Sequence, residues 1–150
     1  MKFSEKDLED LLFHHPYLID ESFADLAPRK IRRQVGRERD RLDLLFDLPA
    51  GLCIAELKIT PLTAKDAAQL LRYCKSWSKT ETMAPIHYLV GKRPTNDAEI
   101  LQTIAKGKFV VKCCYLGVDL PAELAFDEQS RRYRGFTSRD AARNVLELRF

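Results

Sequence analysis

The segment from Leu52 to Ile59 most constrains the fold, because it is apolar at every position except Glu56 and Lys58. A strand that is apolar on both faces belongs inside a sheet covered by helices on both sides. Leu42 to Leu48 predicts a second strand, and the Pro49-Ala50-Gly51 loop predicts that the two strands form an antiparallel hairpin. The chain is therefore expected to fold as an α/β domain.

Helical patterns lie on both sides of this predicted hairpin. Ser4 is the predicted N-cap of a first helix that runs to about Phe13, and its predicted buried stripe is Leu8, Leu11 and Leu12. Thr63 caps a second, longer helix. A third helix is predicted from Asn96 to Gly107, and further strands at about 30–35, 86–91 and 109–116. Towards the C-terminus the pattern weakens, with a short helix predicted over 120–126 and either a helix or an edge strand at the end.

The length and composition fit one domain. The chain has 150 residues, of which 45% are apolar and 31% charged. A chain of this length buries roughly 70% of its unfolded surface, which suffices for one core but not two. We expect a domain over 1–128 and a basic extension over 129–150 that packs on it or is loosely attached. No window approaches the roughly 20 apolar residues of a membrane span, and the N-terminus lacks the apolar run of a signal peptide, so a cytoplasmic location is expected.

Several classes of site are excluded because the residues that they need are absent. The four cysteines form no Cys-x-x-Cys pair and lie in apolar stretches, so we predict buried, reduced thiols. His14 and His15 are neighbours that would point to different faces of a helix, which argues against a zinc site. The sequence also lacks a Gly-x-Ser-x-Gly elbow, a Gly-rich phosphate loop and a dinucleotide fingerprint.

Three polar side chains on the predicted hairpin form a candidate metal site. Glu56 and Lys58 are two residues apart, so on a strand they project from one face with Cα atoms roughly 6.6 Å apart. Antiparallel pairing across the loop would bring Asp43 close to them. Two carboxylates in a partly dry site repel each other, and a divalent cation would compensate their charge. A site with carboxylate oxygen ligands and no Cys or His ligand selects Mg²⁺ or Mn²⁺. A metal ion of this kind is suited to phosphodiester hydrolysis.

Lys58 has two roles open to it at such a site. Its ammonium group can stabilise negative charge that develops on the phosphate, or, if its pKa falls in this environment, the side chain can help to position and deprotonate the attacking water. The sequence does not separate the two roles.

Each of these residues also has an ordinary interpretation. A Glu-x-Lys pair is usually a solvated strand face, Asp43 alone would be a strand-end or turn residue, and Glu9 alone would be a surface charge on the first helix. Gln69 and Tyr73, at i and i+4, would be the edge of an amphipathic helix. The functional interpretation therefore rests on the joint order of these residues along the chain.

That order resembles the PD-(D/E)XK nuclease superfamily with a RecB-like Gln-x-x-x-Tyr motif, and more narrowly the nuclease domain of the NucS/EndoMS endonucleases. The matching stretches cover about half of the chain and are Glu5 to Ile19, Arg41 to Leu45, Ala55 to Lys58 and Asp66 to Tyr73. Leu42 stands where a literal Pro-Asp motif has Pro.

The resemblance implies a restriction-endonuclease-like αβββαβ core, with a mixed sheet flanked by helices, and metal-dependent DNA cleavage. Asp43 and Glu56 would be the metal ligands, and Lys58 the catalytic lysine. Glu9 would be the first-helix acid near the metal. The resemblance further implies that the site or the substrate is oriented by Gln69 and Tyr73.

A basic stretch lies directly before the proposed ligand Asp43. Between positions 29 and 41 the chain carries seven Arg and Lys residues. The candidate DNA contacts are Arg33, Arg37, Arg39, Arg41 and Arg72. Contacts of this kind give affinity for the phosphate backbone and not sequence readout, and the alternative is a solvated strand edge.

The expected partner is DNA in double-stranded, branched or mismatched form, and a homodimer is expected by analogy with the resembled enzymes. Two other functions stay open. One is a non-catalytic module on the same fold that binds nucleic acid or a protein partner. The other is a metal-dependent ribonuclease.

Overall fold

The computed structural model describes residues 4–36 and 41–116, together with three short strands further along the chain. Within these residues the protein is an α/β domain with a mixed sheet and helices on both faces. The helices are α1 (Glu5–His14), α2 (Ala64–Trp77) and α3 (Ala98–Lys106). Single 3₁₀ turns at Pro16–Leu18, Glu21–Asp25 and Pro28–Lys30 connect α1 to the sheet.

The strands largely follow the hydrophobic patterns of the sequence. They are β1 (Ile31–Val35), β2 (Leu42–Leu48), β3 (Gly51–Pro61), β4 (Ile86–Lys92), β5 (Val110–Leu116), β6 (Ala125–Asp127), β7 (Arg132–Arg134) and β8 (Leu146–Arg149). The prediction of a short helix over 120–126 is wrong for residues 125 and 126, which belong to β6. Residues 120–124 lie outside the described residues.

Six of these strands form one sheet, in the order β1-β2-β3-β4-β5-β8. β1, β2 and β3 are antiparallel neighbours, whereas β3, β4 and β5 are parallel. The parallel pairs need crossover connections, and α2 and α3 provide them. β8 adds to β5 in the antiparallel sense, and β6 pairs with β7 separately.

Two apolar layers hold the helices on the sheet. The α1 face of the sheet packs against Leu8, Leu11 and Leu12 of the first helix, which confirms the predicted buried stripe. The α2 face packs against α2 and α3. Its buried residues include Leu42, Leu45, Ile54, Ala67, Leu70, Tyr73, Cys74, Leu89 and Ile100. The strongly apolar β3 lies between the two layers, as its composition requires.

The helix starts are set by side-chain caps. Ser4 and Asp7 form a capping box on α1, and Thr63 and Asp66 form one on α2. The predicted cap of α3 is off by one residue, because Asp97 is the N-cap. The Asn96 side chain still accepts a hydrogen bond from the Ala98 N–H at 2.9 Å.

All four cysteines are buried and free, as predicted. Burial raises the pKa of Cys74 to about 12 and that of Cys113 to about 11. The thiols therefore stay protonated and unreactive near neutral pH.

Candidate active site

The candidate site lies where β2 and β3 separate. Their antiparallel register runs from Leu48 opposite Gly51 to Leu44 opposite Ala55, which confirms the predicted hairpin. Beyond it, the Asp43 N–H donates to Glu56 Oε1 at 3.2 Å, and the Leu57 N–H donates to Asp43 Oδ2 at 2.8 Å. Two carboxylates thus accept N–H groups at the point where backbone pairing stops, and the hairpin brings Asp43 and Glu56 together.

Burial and mutual repulsion shift both acids toward their protonated forms. Glu56 is only 6% exposed. Burial and, after it, the charge of the neighbouring Asp43 raise its pKa to about 8, with Lys58 opposing the shift. Burial also raises the pKa of Asp43, against the lowering effects of the Leu57 N–H, Gln34 and Lys58. Without a cation, this pair retains a proton at pH values at which ordinary carboxyl groups have lost theirs.

Lys58 lies half-buried beside the two acids. Ala55 and Leu57 pack on the α1 face and Ile54 on the α2 face, so strand alternation places Glu56 and Lys58 toward the α2 face. The register of β3 with β4 shifts between Leu57 and Pro61, so Lys58 belongs to an irregular segment. Its positive charge lowers the pKa of both Asp43 and Glu56, which places it within electrostatic range of the pair.

Glu9 reaches this site through Gln34, a residue that the sequence analysis missed. The Gln34 Nε2 donates to Glu9 Oε1 at 2.7 Å and to Asp43 Oδ1 at 3.3 Å. A second missed residue is the acid Glu5, whose pKa is raised by burial and by the charge of Asp43, with Lys58 opposing. Glu5 lies one helical turn before Glu9, and this i, i+4 spacing was the available signal.

Gln69 and Tyr73 form a pair on α2. The Gln69 Nε2 donates to the Tyr73 hydroxyl at 2.6 Å, and Tyr73 is buried in the α2-face layer. Glu56 contributes to the raised pKa of Cys74, which follows Tyr73 and shares its layer, so this part of α2 lies near Glu56. The guanidinium of Arg72 lies 5.6 Å from the centre of the Tyr73 ring.

The candidate DNA contacts differ in their environment. Arg41 and Arg72 are exposed, whereas Arg37 and Arg39 lie outside the described residues. Arg33 is held against α1, where its guanidinium forms an ion pair with Asp10 and lies 4.2 Å from the centre of the Phe13 ring. Arg33 therefore fastens β1 to α1 in this structure.

The donor chemistry of the Asp43–Glu56 pair fits a hard divalent cation. Mg²⁺ is commonly held by one or two carboxylates and keeps several waters. Two adjacent carboxyl groups with raised pKa values supply such ligands, and a cation would relieve their repulsion. Among the described residues, no group of three or more His, Cys, Asp or Glu is arranged to hold a metal ion.

Comparison with protein-family models finds no match, and neither the curated proteins nor the solved structures include one significantly similar to this chain. Over the described part of the chain, no helix is both long and apolar enough to cross a lipid bilayer.

Proposed function

We propose that this chain is a Mg²⁺- or Mn²⁺-dependent deoxyribonuclease of the PD-(D/E)XK type. One observation carries the proposal: Asp43 and Glu56 meet where β2 and β3 separate, with Lys58 within electrostatic range. The order α1, β1, β2, β3, α2, β4 agrees with the restriction-endonuclease-like αβββαβ core that the motif resemblance implies. The proposed substrate is DNA in double-stranded, branched or mismatched form, and the proposed location of the protein is the cytoplasm.

Asp43 and Glu56 are the proposed metal ligands. They would hold a divalent cation, which would supply Lewis acidity toward the scissile phosphate and a more acidic water for hydrolysis. The Leu57 N–H fixes one oxygen of Asp43, and the Asp43 N–H fixes one oxygen of Glu56. Both carboxyl groups are thereby oriented before any ligand arrives, which lowers the cost of binding.

Lys58 is the proposed partner of the phosphate. Its ammonium group stabilises the negative charge that develops as the water attacks, or the side chain, as the neutral amine, takes the proton from that water. Replacement by arginine separates these roles, because arginine keeps the charge but does not deprotonate at accessible pH. Activity retained in Lys58→Arg supports charge stabilisation, and its loss supports proton transfer.

Glu9, Gln69 and Tyr73 are proposed to orient the site or the substrate. Glu9 is linked to Asp43 by Gln34, and Gln69 is bonded to Tyr73 on the helix that covers the α2 face. Arg41 and Arg72 are exposed and available for phosphates, and Arg37 and Arg39 are proposed as further contacts. Two copies of the chain, as a homodimer, would allow both strands of a duplex to be cut.

One observation favours a second candidate, a non-catalytic module that binds nucleic acid or protein. Asp43 and Glu56 each accept a backbone N–H at the opening of the hairpin, so both acids also have a structural use. In a module of this kind, the two acids would stabilise the opening of the hairpin, and the protein would have no hydrolytic activity.

The deciding experiment measures nicking of plasmid, branched and mismatched DNA, with RNA as a separate substrate, in Mn²⁺. Wild type is compared with Glu56→Gln and Lys58→Ala, and with Glu81→Gln and Lys79→Ala as controls at exposed positions after α2. We expect at least a roughly 100-fold loss of nicking in the two site variants and none in the controls. Equal activity in all five proteins would identify a contaminant and refute the proposal, and cleavage of RNA alone would indicate a ribonuclease.

A further inference from the structure

Gln34 has a backbone conformation that a strand does not require. Its φ is +47°, in the left-handed region, although it lies inside β1 and is not glycine. A non-glycine residue in that region is uncommon, and it persists where surrounding contacts hold it. The described residues with positive φ otherwise include Gly36 and Gly51, which adopt it without a side-chain penalty. The conformation of Gln34 therefore calls for a compensating interaction.

The conformation breaks the strand alternation at one point. Ile31 packs on the α1 face but Val35 on the α2 face, although an even spacing should place them together. Across the ladder, Leu44 packs on the α1 face and Leu42 on the α2 face. Arg33 pairs with Leu44 and Val35 with Leu42, which places Gln34 opposite Asp43, so both strands change face at this position.

The change of face places an amide between two acids. A carboxamide has two N–H groups, and the Gln34 Nε2 donates to both Glu9 and Asp43. Together with the Leu57 N–H on Oδ2, this gives each oxygen of Asp43 a donor. A carboxylate at position 34 would offer acceptors only, so an amide of this length is chemically specific for the place.

We propose that Gln34 is a positioning residue that fixes Asp43 for metal binding and connects it to Glu9 of α1. The inference rests on the proposed function, because it assigns Asp43 a metal. Gln34 touches neither substrate nor metal in this proposal and acts through Asp43. Its strained backbone is the conformation that brings the amide between the two acids.

Gln34→Gly is the decisive variant, because glycine accepts the left-handed backbone and lacks the amide. We expect it to fold with a melting temperature equal to or above that of wild type, yet to bind Mn²⁺ about tenfold more weakly and to nick DNA about tenfold more slowly at limiting Mn²⁺. Binding of Mn²⁺ alone is measured by electron paramagnetic resonance without DNA. Gln102→Ala, an exposed glutamine on α3, serves as the control.

A double-mutant cycle tests the connection to Glu9. If Gln34 acts by joining Glu9 to Asp43, then Gln34→Gly and Glu9→Ala together should weaken Mn²⁺ binding no more than the stronger single change. A merely structural role of Gln34 would give additive losses, or would lower the melting temperature of Gln34→Gly without changing Mn²⁺ affinity.

The outcomes separate this inference from the proposed function. Unchanged Mn²⁺ affinity and nicking in Gln34→Gly, with active wild type, would overturn the role of Gln34 and leave the nuclease proposal standing. Wild type that binds Mn²⁺ but does not nick would remove the nuclease proposal, while the affinity of Gln34→Gly would still decide the role of Gln34. Wild type that neither binds Mn²⁺ nor nicks would refute both.

Discussion

The two ends of the β2–β3 hairpin have opposite chemistry. At the closed end, backbone groups pair with each other: the Leu52 N–H donates to the Thr82 carbonyl at 2.9 Å, and the Ala84 N–H donates to the Leu52 carbonyl at 2.8 Å. At the open end, the N–H groups of Asp43 and Leu57 donate to carboxylates. One hairpin therefore has an end that pairs with the backbone of residues 82–84 and an end where ionisable side chains accept the backbone N–H groups.

The difference explains how a buried strand carries ionisable side chains. Glu56 follows Ala55 directly, yet Ala55 is wholly buried in the α1-face layer and Glu56 meets Asp43 and Lys58. Backbone pairing at the closed end stabilises the fold, so the open end tolerates acids with raised pKa values. Buried acids with raised pKa values lower the stability of this region, and a bound cation would restore it.

The largest effect on stability is expected at the closed end, from Gly51→Ala. Gly51 has φ +131°, and a Cβ there would lie 2.7 Å from the Thr82 carbonyl oxygen and from the Met83 carbonyl carbon. We expect the free energy of unfolding to fall by about 3 kcal/mol, measured by urea denaturation.

Gly107→Ala is the matched control for Gly51→Ala. Gly107 has φ −83°, and its added Cβ would meet chiefly the methyl groups of Leu71, which can rotate away. We expect a loss below about 1 kcal/mol. Equal losses in the two variants would mean that the closed end is no more constrained than an ordinary helix terminus.

Much of this fold was predictable because periodic patterns report which face of an element is buried. The Leu8, Leu11 and Leu12 stripe and the pairing of Leu42–Leu48 with the following strand came directly from spacing and from the intervening loop. The cap of α3 was misplaced by one residue because Asn96 and Asp97 are both good caps. Local propensity does not choose between two such neighbours.

The candidate site was predictable only in part. Asp43, Glu56 and Lys58 stand out because they interrupt apolar strands, and the hairpin register brings the first two together. Gln34 gave no signal, since a polar residue on an edge strand looks like an ordinary solvated position. Its role depends on a left-handed φ and on the packing of α1 against β1, which are tertiary properties.

A smaller effect is expected from pH at the open end in the absence of metal. The folded protein keeps a proton on Glu56 between its ordinary pKa of 4.5 and about 8, whereas the unfolded chain has lost it. The folded state binds more protons than the unfolded state in this range. The contribution of Glu56 to the free energy of unfolding is therefore fully present below about pH 4.5 and is lost as the pH rises toward 8. The groups facing Glu56 are Asp43, Lys58 and Cys74.

We therefore expect the melting temperature in chelator to fall by several degrees between pH 5 and pH 8. Glu56→Gln should flatten this dependence, and millimolar Mn²⁺ should restore much of the wild-type loss at pH 8. A wild-type melting temperature that rises over this range would contradict the raised pKa of Glu56.

The smallest effect concerns how α1 is held beside the open end. Arg33 pairs with Asp10 and stacks on Phe13, with side-chain exposures of 31% for Arg33 and 13% for Asp10. A more exposed ion pair, Lys30 with Asp47, spans 3.5 Å, and its side chains are 43% and 52% exposed. We expect Arg33→Ala to lower the free energy of unfolding by about 1 kcal/mol and Lys30→Ala by less than about 0.5 kcal/mol.

Because α1 carries Glu9, Arg33→Ala should also weaken Mn²⁺ binding without lowering the salt dependence of DNA binding. A lower salt dependence in Arg33→Ala would instead mean that Arg33 leaves Asp10 to contact phosphate.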